Sequence, residues 1–397
     1  MPDGGVGRSD SPGASSTGGG HAGRCRGALL ARRGGGGNGA LAQSRRTLER
    51  LDALGWGHAL EPLDFGPWSA SAEFQAVAKR IAAREVVVAR SQPLFTLAER
   101  DFLPEGIAWD ARTGTFFVGS LRHRKVVAFG ADGVARDFIS EARDGLWSVL
   151  GIKVDTARRH LWLASRAGTM GKDIPEAQRG HTGIFQYDLD SGALLRKVTW
   201  TGKLGEHLFN DLALHPNGDV YVSDTDAGQV HVLRAGSDAL VPLVPPGTVV
   251  GANGLALSED GARLYVADYR GLWWVDLASG RASPVQSPPG TTLGGIDGLI
   301  PQGEGGALVA IQNGLGRGRV LRLMLGSDPA RVERVEVLET GNALFETPTT
   351  GVVAQGRFVY IANSHVREWV AEGHPPREPL SASQVLSLPL GGVDAAR

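Results

Sequence analysis

The stretch EGIAWDARTGTFFVGS (105–120) recurs along the chain as LGIKVDTARRHLWLAS (150–165), NDLALHPNGDVYVSD (210–224), NGLALSEDGARLYVAD (253–268) and DGLIPQGEGGALVAI (297–311). TGVVAQGRFVYIAN (350–363) is a looser copy. Each unit reads as a short apolar strand, a tight turn and a second apolar strand. Turn pairs such as Asn217-Gly218 and Asp260-Gly261 predict type I′ hairpins, which need residues tolerant of positive φ. A third strand follows every unit: KVVAF (125–129), GIFQYDL (183–189), QVHVL (229–233), GLWWVDL (271–277), RVLRLML (319–325) and QVLSLPL (384–390). Successive units start 45, 60, 43, 44 and 53 residues apart. Six such units predict an all-β fold, a six-bladed β-propeller over 85–392. The sixth unit retains only three strands, and VVVAR or PLFTL within 86–97 supplies a spare one. An N-terminal strand completing the last blade closes the ring and removes its open edge.

Composition sets the outer limits. The chain has 397 residues, 41 Lys+Arg against 42 Asp+Glu, and one cysteine. A core of this size needs no disulfide, and one cysteine cannot form an internal one. No apolar run approaches the roughly 18 residues of a membrane helix. Near-neutral charge argues against a nucleic-acid-coating protein. Glycine, at 57 residues, is about twice its usual share of ~7%. Fourteen of the glycines fall in residues 1–40, and residues 1–48 hold seven arginines and two acids. That gives the tail +5 and leaves −6 for the remainder. Residues 1–42 are therefore expected to be disordered, since they bury too little apolar surface to offset the entropy of ordering. A cytoplasmic protein is expected, with a transit-peptide-like or mis-started N-terminus as the alternatives for the tail. Helix-like apolar spacing in 43–60 and 71–84 predicts a short helical lead-in over 43–84.

In a propeller the innermost strands converge on the central channel, so residues at equal phase face one axial point. The first residues of the six units are Glu105, Leu150, Asn210, Asn253, Asp297 and Thr350. Taken singly, Asn253-Gly254 and Asp297-Gly298 are ordinary turn dipeptides. Their common phase is the informative feature, and Leu150 and Thr350 show that the position does not demand Asn or Asp structurally. Two carboxylates and two amides suit a hard divalent cation such as calcium, which takes 6–8 oxygen ligands including water. The absence of His and Cys from the set argues against zinc.

LPEGIAWD (103–110), FNDLALHPNG (209–218), ANGLALSEDGARLYVAD (252–268) and IDGL (296–299) together resemble the SMP-30/gluconolactonase-like propellers, also called the calcium-dependent phosphotriesterase superfamily. The resemblance covers roughly residues 90–390. It implies a central divalent cation, usually calcium, and hydrolysis of a lactone or phosphotriester. By motif, Glu105, Asn253 and Asp297 match metal ligands, and Asn210 an asparagine that binds the metal or touches substrate and water. Asp297 also matches the carboxylate proposed as general base or nucleophile in some members. Sugar-lactone members carry Arg where this chain has Leu208, which counts against gluconolactone. The His dyad of paraoxonase-type members has no match in the motifs.

The chemistry that follows is Lewis-acid polarisation of a carbonyl or phosphoryl oxygen, with Asp297 taking a proton from the attacking water. Connections between second and third strands open on the same face as the ring. They supply Arg122, His123, His181, Asp224, Tyr269, Arg270, Asn313 and His365 as candidate substrate contacts, each more readily read as a solvated loop residue; His207, three before Asn210, is similar. The connection 166–182 is expected to be the longest and a candidate lid. The expected partner is a small lactone or ester, with no nucleic acid and no membrane. A non-catalytic propeller that binds protein or ligand is the alternative, and a metal-free relative of strictosidine synthase a third; neither requires a phased acid/amide ring.

Overall fold

A computed structural model describes residues 38–53, 60, 62–303, 305–314, 316–372, 376 and 379–391. The expectation of disorder for 1–42 falls almost wholly outside the described residues. Helices α1 (Asn38–Ala53) and α2 (Ala72–Ala82) form the lead-in. Ser71 caps α2 by accepting the Phe74 N–H, and Leu48, Phe74 and Ile81 make a small core between the two helices.

From Gln92 onward the chain forms six four-stranded antiparallel sheets. Five follow sequence order from the axis outward. The sixth is completed by Gln92–Thr96, which pairs with Gln384–Pro389, so PLFTL rather than VVVAR supplies the closing strand. Val88 forms only an isolated bridge to Thr340. The inner strands are Pro104–Asp110, Ser148–Asp155, Phe209–Leu214, Leu255–Leu257, Ile296–Pro301 and Gly351–Ala354. Each touches the inner strand of the next blade, and the last touches the first. Apolar clusters fill the seams between neighbouring blades. One joins Ala108 and Phe117 of the first blade to Leu161 and Phe185 of the second, and another joins Tyr265 of the fourth to Leu308 and Leu321 of the fifth.

The hairpin turns differ from the expected type I′. Gly218 (φ 98°) and Gly261 (φ 68°) have positive φ, whereas Asn217 and Asp260 do not. Each glycine N–H closes a turn onto the residue three before it, His215 and Ser258, both at 2.9 Å. Asn217 and Asp260 instead use their side-chain oxygens, which accept the N–H of Asp219 (2.8 Å) and Ala262 (3.0 Å). The Asn and Asp are there for side-chain capping of the turn, and only the glycine meets the left-handed requirement.

Candidate functional site

The ring positions coincide with interruptions of the inner ladders. Register between inner and second strands breaks between Pro104 and Ile107, Val149 and Ile152, Phe209 and Leu212, and Ile296 and Leu299. These breaks bracket Glu105, Leu150, Asn210 and Asp297. A bulge removes a residue from the alternating pleat and re-aims its side chain. Asn253 lies just ahead of its short strand, its N–H donating to the Ala267 carbonyl (2.9 Å).

The glycines that follow the ring residues have a reason other than turning. Gly106, Gly151, Gly254 and Gly298 all lack positive φ. A Cβ on Gly106 would lie 2.1 Å from the Leu150 carbonyl oxygen, on Gly151 2.5 Å from that of Asn210, and on Gly254 2.3 Å from that of Asp297. On Gly298 it would lie 2.5 Å from Thr350 Oγ1. Asn253-Gly254 and Asp297-Gly298 are thus close-approach pairs, in which glycine lets one inner strand press against the next. Hydrogen bonds complete the circuit. Gly254 N donates to Asp297 O (2.8 Å), Gly298 N to Thr349 O (3.0 Å), and Thr349 Oγ1 to Glu105 O (3.1 Å). In the third blade Asp211 stands where the others have glycine. Its carboxylate takes Lys153 Nζ at 2.7 Å from the second blade and Leu255 N at 3.1 Å from the fourth. The openings of all six inner strands are thereby joined in one closed ring.

Asp297 is buried, and its Oδ2 accepts from Asn313 Nδ2, which also donates to the Pro348 carbonyl at 2.7 Å. Glu105, Asn210 and Asn253 are half-buried. Asn210 Nδ2 donates to Thr225 Oγ1 (3.1 Å), which itself donates to the Ala252 carbonyl (2.6 Å), so Asn210 is held toward Asn253. The donor atoms are all oxygens or amides with oxygens, on backbone locked by the ring contacts. This fits a hard cation.

An apolar roof covers this end of the channel. Leu103 and Leu121 of the first blade, Leu150 of the second, Leu208 of the third and Trp369 of the sixth form one buried cluster, flanked by Met170, Val366 and Leu380. Trp369 belongs to helix α3 (Val366–Glu372), so a helix of the sixth blade joins the same apolar cluster as side chains of blades one, two and three. The 362–383 connection that carries it is longer than 166–182, which was expected to be the longest. Met170 is the contribution of 166–182 to the roof. Nothing in the sequence periodicity marks a two-turn helix here; an isolated Trp within a strand connection was the available signal. Arg367 of α3 donates to the Asn313 carbonyl (3.0 Å), so the roof is tied to the residue that holds Asp297.

The other candidate contacts are dispersed around the same face. The Arg122 guanidinium lies over the Trp369 ring at 5.2 Å. His123 is engaged by Asp101 (3.0 Å), and His181 stacks on Trp147. Arg270 binds Asp268 through Nε and Nη2, and Tyr269 packs against Gly251. His365, at positive φ, contacts Asn363 Nδ2 (3.1 Å) and Ser381 Oγ (3.2 Å), and burial lowers its basicity. Asp224 is fully buried beneath His207, so its carboxylate faces protein rather than the mouth. No sequence pattern marks Glu346 and Glu368, which meet in the fold. Burial first, and then a hydrogen bond shared with Glu368, push the Glu346 carboxyl up to about 7.

Residues 103–328 match the family model described as SMP-30/Gluconolactonase/LRE-like region. No curated protein matches the chain. Among solved structures it is similar to a gluconolactonase from Xanthomonas campestris (18% identity, 76% of this chain and 96% of that one, TM-score 0.50). It is also similar to the calcium-binding protein regucalcin from Agrobacterium tumefaciens (17%, 76% and 93%, TM-score 0.50) and to a luciferin-regenerating enzyme (14%, 78% and 96%, TM-score 0.52). At these identities the likeness is one of fold.

Proposed function

This chain belongs to the SMP-30/Gluconolactonase/LRE-like family, and on that premise we propose that it is a metal-dependent hydrolase of a lactone or related ester. The observation that carries the reading is the closed ring of inner-strand contacts, at whose positions Glu105, Asn210, Asn253 and Asp297 stand. These four would hold a divalent cation, calcium being the best suited to an oxygen donor set. When bound, such a cation polarises a carbonyl or phosphoryl oxygen as a Lewis acid. The chain's own residues do the rest. Asp297 takes a proton from the attacking water, and Asn313 fixes its carboxylate by holding Oδ2 while anchored to Pro348. The roof of Leu103, Leu121, Leu150, Leu208 and Trp369 limits bulk water and favours a substrate with an apolar substituent over a polyhydroxylated sugar lactone.

Calorimetric titration of calcium into the chelator-treated chain tests the ring. One site is expected, lost in Asp297→Asn and Asn253→Ala. Undiminished binding in both variants contradicts the assignment.

A further inference from the structure

We propose that the seam between the second and third blades carries a second metal site, formed by His207 Nδ1, Asp224 Oδ2 and His231 Nε2, and suited to zinc rather than calcium. The three ligand atoms lie within 4.8 Å of one another and come from three separate segments: the rim before Asn210, the end of the second strand and the third strand. Asp224 Oδ2 contacts both imidazoles, His207 Nδ1 at 2.5 Å and His231 Nε2 at 3.1 Å. Donor atoms around a tetrahedral zinc sit about 3.3 Å apart, given metal–ligand distances near 2 Å. The required adjustment is small, and it falls mainly on His207, the partly exposed member.

Three features go beyond two histidines solvating a carboxylate. First, the carboxylate is divided in labour. Oδ1 accepts the N–H of Leu208 (2.9 Å) and Ala227 (3.3 Å), which leaves Oδ2 for the imidazoles; outer-shell bonding of this kind orients a ligating carboxylate. Second, His231 Nε2 lies 2.7 Å from the Gln229 side-chain amide as well as 3.1 Å from Asp224. One ring nitrogen cannot accept from an amide N–H and donate to a carboxylate at once. Turning the amide so that its oxygen faces inward resolves the conflict and adds a fourth donor. Third, Trp200 packs on both imidazoles, at 5.1 Å from His207 and 4.4 Å from His231, which restrains both rings. Two imidazoles and one buried carboxylate form a borderline-soft set, unlike the all-oxygen central ring. A bound ion would clamp the rim segment that leads into Leu208 and Asn210.

Cobalt(II) is the probe, because a four-coordinate site with imidazole donors gives strong visible absorption that an octahedral oxygen site does not. Adding one equivalent to the chelator-treated full chain should produce that absorption, and zinc should abolish it by displacement. His207→Ala, at the rim where folding is not at stake, should weaken cobalt binding at least about tenfold. Asp297→Asn should leave the spectrum intact. Zinc should also raise the melting temperature of the wild type more than that of His207→Ala, since a ligand stabilises only the state that binds it. Absence of the visible band, or a band unchanged in His207→Ala, overturns the proposal and leaves the histidines as hydrogen-bond partners of Asp224. Either result is independent of hydrolysis at the central ring.

Discussion

Asn313 Nδ2 bridges the carboxylate of Asp297 and the carbonyl of Pro348, so one amide ties a ring residue to the segment leading into the next blade. Asp297 cannot rotate without breaking that bridge. Asn313 is a positioning residue in the proposed reaction. Asn313→Ala should lower calcium affinity or turnover by about ten- to a hundredfold, as loss of a ligand's outer-shell partner commonly does. Asn313→Asp sets a second carboxylate beside Asp297, and like charges raise the pKa of such a pair. The acid limb of its pH–rate profile should therefore move to higher pH, a shift that a merely structural role would not produce.

Leu208 lies in the apolar roof, two residues before Asn210. Leu208→Arg should reduce kcat/KM for alkyl-substituted lactones more than tenfold while reducing that for hydroxylated lactones less. Parallel kinetics on both substrate classes check this, and an equal loss on both contradicts the apolar mouth.

Asp211 links three blades through Lys153 and the Leu255 N–H. Asp211→Ala leaves a partly buried ammonium and a buried amide without their acceptor. Stability should fall by about 3 kcal/mol, in the range for breaking a buried pair, as measured by urea unfolding. A change near zero would show that the ring does not depend on this tie.

The Glu346–Glu368 pair supplies a pH dependence. Glu346, raised to about 7 in the folded chain against an ordinary value of 4.5, binds a proton that the unfolded chain has already released between those values. Folding then gains protons over that interval, so this contribution to stability is complete below about pH 4.5, declines as pH rises toward 7 and is lost above it. Arg317 and His365 face the same carboxyl and moderate the effect without reversing it. Glu368→Gln removes the like charge. Its melting temperature should exceed that of the wild type at pH 8, with the difference narrowing at pH 5.

The propeller was legible because its signal is repetition: six hairpins with small residues at their turns, each followed by a third apolar strand. The alignment of the six inner-strand openings was legible for a related reason, since equal phase in a repeat means equal height along the axis. The register breaks at Glu105, Asn210 and Asp297 were not, because a bulge leaves the residue order unchanged and shows only in pairing. Asn253-Gly254 and Asp297-Gly298 read as turns in sequence, which does not distinguish a glycine needed for positive φ from one needed for close approach. The Trp369 roof and the His207–Asp224–His231 cluster depend on contacts between distant segments. No local pattern announces such contacts.

Metal-dependent catalysis is tested by hydrolysis of a lactone panel by the full chain, first with calcium, then with excess chelator, then with calcium restored. Turnover of apolar lactones should disappear on chelation, return with calcium and be lost in Asp297→Asn. Turnover that persists in excess chelator, or calcium binding at the ring with no hydrolysis of any lactone or phosphotriester, would contradict metal-dependent catalysis.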